Sequence, residues 1–317
     1  MKKILAVGAV VVLVGCGGGG GGSGGGSNAG VDAFTSWAAI APNSTVRVSG
    51  SSQEISYTAD AASDRVTSAS EVSPNRTGAS YEASYGADGF VTAIDVRSAQ
   101  GTNISWDTAR GDTIVRLDSG PYAGLNVALS QDDGARAAIS AEPLLNGWNY
   151  QSFGVWITGR GQGSGTAGVI SVGSTTPANA VPQVGRATYV GSAGGLYLGP
   201  TGEYALTAAN MSAQVNFGAR TVDFQTRNTV AATPDMIGAS ITPVAAGALD
   251  VAGRLTYAAG SNRFTGPVTS VSSSDGTPMT GTAVGQFYGP NANEIGGTFN
   301  VNGAGMEGYV SGFGGRR

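Results

Sequence analysis

The chain is predicted to be all-β, with a C-terminal eight-stranded antiparallel soluble β-barrel preceded by a smaller β-rich handle domain. Three observations carry this. Of the 317 residues, 53 are Gly and only 12% are charged, which suits short strands and frequent turns better than charged helices. Segments with period-2 patterning recur. Turn signals such as Gly218-Ala219, Gly260-Ser261-Asn262 and Gly289-Pro290-Asn291 separate them.

The alternation is clearest in the second half. Leu249, Val251, Leu255 and Tyr257 share a face opposite Asp250, Ala252, Arg254 and Thr256. Val222 and Phe224 alternate with Asp223 and Gln225, and Ile295, Phe299 and Val301 with Glu294, Thr298 and Asn300. One dry and one wet face per strand is the antiparallel signature, and closing the sheet removes its edges. The expected outward set (Asp223, Gln225, Asp250, Arg254, Glu294, Asn300) is too polar for a lipid-facing wall. The apolar set, including Phe224, Leu255, Phe287 and Phe299, is therefore expected to fill the interior. Domains are expected at 31–145 for the handle and 146–317 for the barrel. Gln53–Thr58, Val91–Val96 and Thr113–Leu117 are the clearest handle strands, Val31–Ile40 a short amphipathic helix, and Gly159–Pro182 a long loop.

The N-terminus reads as an address. Lys2 and Lys3 precede the apolar run Ile4–Val14, too short to span a bilayer and of the length of a secretory signal. The run ends Leu13-Val14-Gly15-Cys16, which resembles a bacterial lipobox. Residues 1–15 are then a lipoprotein signal peptide and Cys16 the lipid-carrying first residue of the mature chain. Residues 16–30 form a Gly-rich tether that has almost no side chains to bury. The partner expected from this segment is a membrane, reached through the lipid on Cys16.

Composition excludes much chemistry. Histidine is absent and Cys16 is the only cysteine. No Ser-His-Asp or Cys-His nucleophile and no zinc site of the usual ligand sets can be built. The formal charge of −4 becomes −6 once Lys2 and Lys3 are removed, and no basic stripe for nucleic acid remains. Asp132-Asp133-Gly134 is an acidic pair on a solvated turn. Neither an enzyme, nor a metal site, nor a cofactor beyond the lipid is expected.

The stretch Gln286-Phe287-Tyr288-Gly289-Pro290-Asn291-Ala292-Asn293-Glu294-Ile295-Gly296-Gly297-Thr298-Phe299 resembles the closing hairpin of the transferrin-binding protein B barrel and related surface lipoproteins. Gly312-Phe313-Gly314-Gly315-Arg316 is similar to the end of that family's barrel, and Gly185–Gly191 and Arg263–Gly266 agree with it. The resemblance implies an outer-membrane lipoprotein, exposed at the cell surface, that binds a host or environmental solute or protein in iron or haem acquisition. Its implied partners are an iron- or haem-carrier protein and an outer-membrane translocator for surface export. The alternative is a structural or interaction lipoprotein of the envelope with no soluble ligand. The motif marks a scaffold, so ligand contacts must come from elsewhere. Arg76, Tyr81 and Tyr85 are the expected handle contacts, because Arg and Tyr are favoured at binding hot spots. Gly159–Pro182 is the expected barrel-side contact.

Overall fold

The computed structural model describes residues 36–232 and 243–317. Cys16, the Gly-rich tether and the first half of the expected 31–40 helix lie outside the described residues. Of that helix, a single 3-10 turn, Trp37–Ala39, is seen. Its Trp37 is buried and donates its backbone N–H to Asn149 O.

Two antiparallel sheets make up the molecule. The first contains β1 (Thr45–Asp60), β2 (Arg65–Ala69), β3 (Arg76–Tyr85), β4 (Val91–Arg97), β5 (Asn103–Asp107), β6 (Thr113–Leu117), β7 (Leu125–Leu129), β8 (Ala137–Ala141), β9 (Gln151–Ile157) and β10 (Ser164–Gly173). Its order is β5-β4-β3-β1-β10-β9-β8-β7-β6, with β2 paired to β1. It curls into a nearly closed barrel around Val46, Val48, Tyr81, Ile94, Trp106 and Trp156. The second contains β11 (Arg186–Leu198), β12 (Tyr204–Asn216), β13 (Thr221–Ala232), β14 (Val244–Ala245), β15 (Val251–Thr256), β16 (Arg263–Ser270), β17 (Thr280–Tyr288), β18 (Glu294–Asn302) and β19 (Gly308–Arg316). Pairing of β12 with β13 closes it into an eight-stranded barrel, and short β14 adds to β13 from outside the ring.

The barrel interior is apolar and filled. Phe224, Leu255, Phe287 and Phe299, expected there from alternation, are all buried in one cluster. Their rings interlock: Phe224 lies 4.6 Å from Phe313 and 5.9 Å from Phe299, centroid to centroid. Eight strands leave room for little besides side chains.

The boundary between sheets does not fall at residue 145. β9 and β10 belong to the first sheet, where β10 pairs with β1 from Gly50↔Val172 to Thr58↔Ser164 and β9 pairs with β8. The barrel closes without them. The expected loop 159–182 is thereby corrected as well, since most of its first half is the buried strand β10. Alternation identifies strands but not their partners, and β10's partner is more than a hundred residues away in the chain. The consequence is testable. Residues 181–317 should fold alone as a cooperative β protein, because every barrel strand keeps both neighbours. They should also associate at high concentration, because Leu196, Leu198, Leu206 and Val310, which face the first sheet, become exposed. A fragment 146–317 should be less soluble, since β9 and β10 lose their partners. Circular dichroism melts and sedimentation of the two fragments decide this.

The sheets lie side by side, joined at both ends and along the middle. At one end, here the near end, the Glu294 carboxylate accepts from Asn149 N (2.6 Å) and Tyr150 N (2.9 Å). At the far end, Arg65 Nη2 donates to Thr201 O (2.7 Å), Val66 N to Gly202 O (2.9 Å), and Arg160 Nε to Tyr204 Oη (2.9 Å). Between them, Thr298 Oγ1 donates to Gln53 Oε1 (2.9 Å) and accepts from Asn75 Nδ2 (3.0 Å). Close approach depends on glycine. A Cβ on Gly312 would stand 2.8 Å from Phe153, and one on Gly314 2.3 Å from Gln151. Glu294 and Asn300, expected on a wet outer face, do point out of the barrel, but that face is covered. Glu294 is 2% exposed, and Asn300 accepts from Gln53 Nε2 at 3.3 Å.

Candidate binding surface

With the barrel filled, recognition is left to outer faces and turns. A polar concavity lies on the outer face of β1, β3, β4 and β5. It encloses about 400 Å³. Antiparallel register builds it in rows. Arg47 stands opposite Glu82, Glu82 opposite Asp95, and Asp95 opposite Ser105. The next row runs Ser49, Ser80, Arg97, Asn103. Each is the polar member of an alternation whose apolar members, Val48, Tyr81, Ile94, Val96, Ile104 and Trp106, are buried behind the face.

The electrostatics are mixed. Arg47 forms an ion pair with Glu82. Arg97 Nε donates to Asn103 Oδ1 (3.0 Å), and Arg110 Nη2 donates to Ser105 Oγ (2.9 Å) while its Nε lies 3.7 Å from the Asp107 carboxylate. Asp95 sits between two carboxylates. Partial burial, then Glu82 and Asp107, hold its carboxyl above the ordinary range, and Arg110 and Arg47 offset this only in part. Fixed strand-borne groups of both signs within one concavity suit a polar or charged protein surface better than an apolar small molecule.

The expected contacts divide. Arg76 is exposed at the start of β3, beside Asn75 and the inter-sheet network. Tyr81 and Tyr85 are not surface residues; they are 4% and 7% exposed and point into the first sheet. They stand there with Glu142: burial raises the Tyr81 hydroxyl, with nearby Ser140 opposing the rise and Glu142 adding to it. Burial, then Tyr81 and Glu142, raises Tyr85. Glu142 itself is held up by burial, against hydrogen bonds from Asn126 and Leu144 N. The signal was in the sequence, since Ser80, Glu82 and Ser84 alternate strictly with Tyr81, Ala83 and Tyr85. The same test applied to Val46-Arg47-Val48 and Ile94-Asp95-Val96-Arg97 finds the concavity. The barrel-side segment offers only its 158–163 turn and the stretch after Gly173, because β10 is interior. Among the described residues, no group of three or more His, Cys, Asp or Glu is placed to hold a metal ion, and no helix is long and apolar enough to cross a membrane.

The class of protein the fold defines is an all-β scaffold: a filled antiparallel barrel flanked by a second curled sheet, with its polar groups outside. Residues 181–317 match the family described as the C-lobe and N-lobe beta barrels of Tf-binding protein B. Over those residues, a little under half of the chain, the protein is similar to a barrel domain of that family. No curated protein sequence matches the chain. Among solved structures, it is similar to a single-site variant of transferrin-binding protein B from Haemophilus parasuis at 12% identity and a TM-score of 0.44, covering 87% of this chain and 78% of that one. A surface lipoprotein structure gives 12% identity and 0.44, covering 84% and 98%. The N-lobe domain of lactoferrin-binding protein B from Moraxella bovis gives 13% and 0.38, covering 84% and 98%.

Proposed function

We propose that the protein is a non-catalytic, lipid-anchored lipoprotein of the outer-membrane surface that binds a host or environmental iron-carrier protein or related solute through the outer face of its first sheet. The observation that carries this reading is the family barrel at 181–317, whose packed interior leaves no internal site and turns recognition outward. The charged concavity is the surface best prepared for it. Arg76, exposed at the start of β3, is a separate candidate contact outside the concavity, and Tyr81 and Tyr85 support the concavity from behind.

Two experiments test the two halves of the proposal. Mature protein immobilised on a sensor is exposed to iron-loaded transferrin and to haemoglobin. Binding of either should fall by more than tenfold in the double variant Arg47→Glu, Arg97→Glu, since reversing rim-fixed charges costs both attraction and register. Retention of full affinity in the folded variant removes the concavity from the reading. Absence of binding to both carriers favours an envelope interaction protein without a soluble ligand. Separately, palmitate should label the wild type and leave Cys16→Ser unlabelled, with the variant lost from the membrane fraction. Label that persists on Cys16→Ser removes the anchor. A surface translocator, the further partner implied by the resemblance, would be required for the labelled protein to become protease-accessible on intact cells.

A further inference from the structure

The molecule has two unlike ends. The near end collects the turns at 86–90, 142–150, 217–220 and 289–293 together with the C-terminus. The far end collects those at 61–64, 130–136, 158–163, 199–203 and 303–307. The Glu294 and Arg65 junctions, one at each end, fix the two sheets in this common orientation.

Three differences coincide. The first is apolar exposure. Phe90 (40% exposed), Leu144 (45%), Leu145 (42%) and Val184 (79%) all lie on near-end turns or on the connection into β11. Leu144 and Leu145 form the outer side of the short helix α1 (Pro143–Asn146), which Glu142 caps and Gly147 ends. Nothing in the fold of that turn requires two exposed leucines. At the far end the exposed large side chains among the described residues are the valines Val244 and Val271, with no exposed Leu or Phe among them. The second is charge. Near-end exposed groups include Arg220 and Arg317 and, on the adjoining strand ends, Arg186 and Arg316, against Asp88 and the Arg116-paired Asp118. The far-end turns and strand ends expose Asp60, Asp132, Asp133, Asp275 and the Arg65-paired Glu203, against Arg97. The third is the chain itself. Its first described residue, Ser36, hydrogen-bonds Asn149 beside α1, so the stretch leading back to Cys16 leaves from the near end.

We propose that the near end rests on the lipid surface that carries the anchor, with Leu144, Leu145, Phe90 and Val184 entering the headgroup layer and Arg220 and Arg317 facing anionic headgroups. This rests on the lipid-anchor reading of Cys16. Apolar side chains in company with arginines are the chemistry of interfacial contact, and an anionic lipid surface repels the acidic far end. The far end is thereby left to face outward, with the charged concavity opening on the side wall between the two ends.

The lone cysteine makes the test direct. Unacylated mature protein is coupled through Cys16 to a maleimide-bearing phosphatidylethanolamine in vesicles of phosphatidylglycerol and brominated phosphatidylcholine. The native Trp37, Trp106, Trp148 and Trp156 are all buried and give a common background. Leu145→Trp and, independently, Val184→Trp should lose about half of their added emission to the brominated lipid, with Asp133→Trp unaffected. Adding Arg220→Glu and Arg317→Glu to either near-end variant should reduce the quenching. Equal quenching at both ends, or quenching at Asp133→Trp alone, overturns the proposal. Because the coupling is chemical, the outcome does not depend on whether cells acylate Cys16, which palmitate labelling reads separately.

Discussion

Phe287→Ala should be the most damaging single substitution in the barrel, lowering stability by about 3–5 kcal/mol. Phe287 is fully buried, and four other rings surround it. Tyr257 and Phe264 meet it edge-on at 5.4 Å, Phe217 lies at 5.9 Å and Tyr189 at 6.4 Å. Truncation removes a large transfer contribution and leaves a cavity that a closed ring of eight strands cannot collapse into, because each wall strand is hydrogen-bonded on both sides. It also uncouples a neighbour, since Tyr189 Oη donates to Ala292 O (2.6 Å) from the same end of the barrel. Chemical denaturation of the full mature chain measures it: the midpoint should fall with the slope unchanged. A loss below about 1 kcal/mol would mean the interior repacks, and the filled-barrel description would be wrong.

That core could be read from the sequence because its signal is local. In β13, β15 and β18 the apolar face is complete within each strand, and Phe224, Leu255 and Phe299 fall on it without reference to any partner. Strand partnership is not local. β9 and β10 are as regular as any barrel strand, yet they pair with β8 and β1, and no periodicity within Gln151–Gly173 records that choice. The wet or dry assignment failed in the same way at Glu294 and Asn300. Alternation placed both outside the barrel, and they are outside it, but the first sheet covers that wall. At the candidate surface the error was of another kind. Residue type favours Tyr81 and Tyr85, while their own strand's alternation turns them inward and turns Glu82 outward.

The motif that resembles a closing hairpin acquires a second role from the same geometry. Its glutamate, Glu294, hardly touches the barrel interior; it holds the first sheet's 149–151 turn. Burial pushes this carboxyl up to about 7, against the backbone N–H groups of Asn149, Tyr150 and Gln151 and the nearby Arg316, all of which favour the ionised form. The sign follows from that displacement. A folded-state value above the ordinary 4.5 means the folded chain prefers the protonated acid. The associated stability is complete below pH 4.5 and is lost as the pH rises through about 7.

Glu294→Gln isolates this contribution, because the amide has nearly the shape of the protonated acid and does not titrate. The variant should be less stable than the wild type in mildly acidic buffer, because its amide nitrogen cannot accept from one of the two backbone N–H groups, and that deficit should shrink by on the order of 1–3 kcal/mol as the pH rises through about 7. Glu294→Ala should instead be destabilised throughout, by about 1–3 kcal/mol, because the buried N–H groups of Asn149 and Tyr150 lose their acceptor at every pH. Denaturation midpoints of the three proteins across the range measure the difference, and groups common to all cancel. A Glu294→Gln deficit that grows rather than shrinks as the pH rises would show that the three N–H donors and Arg316 outweigh burial. The junction would then be an ionised clamp, tightest in alkaline rather than acidic solution.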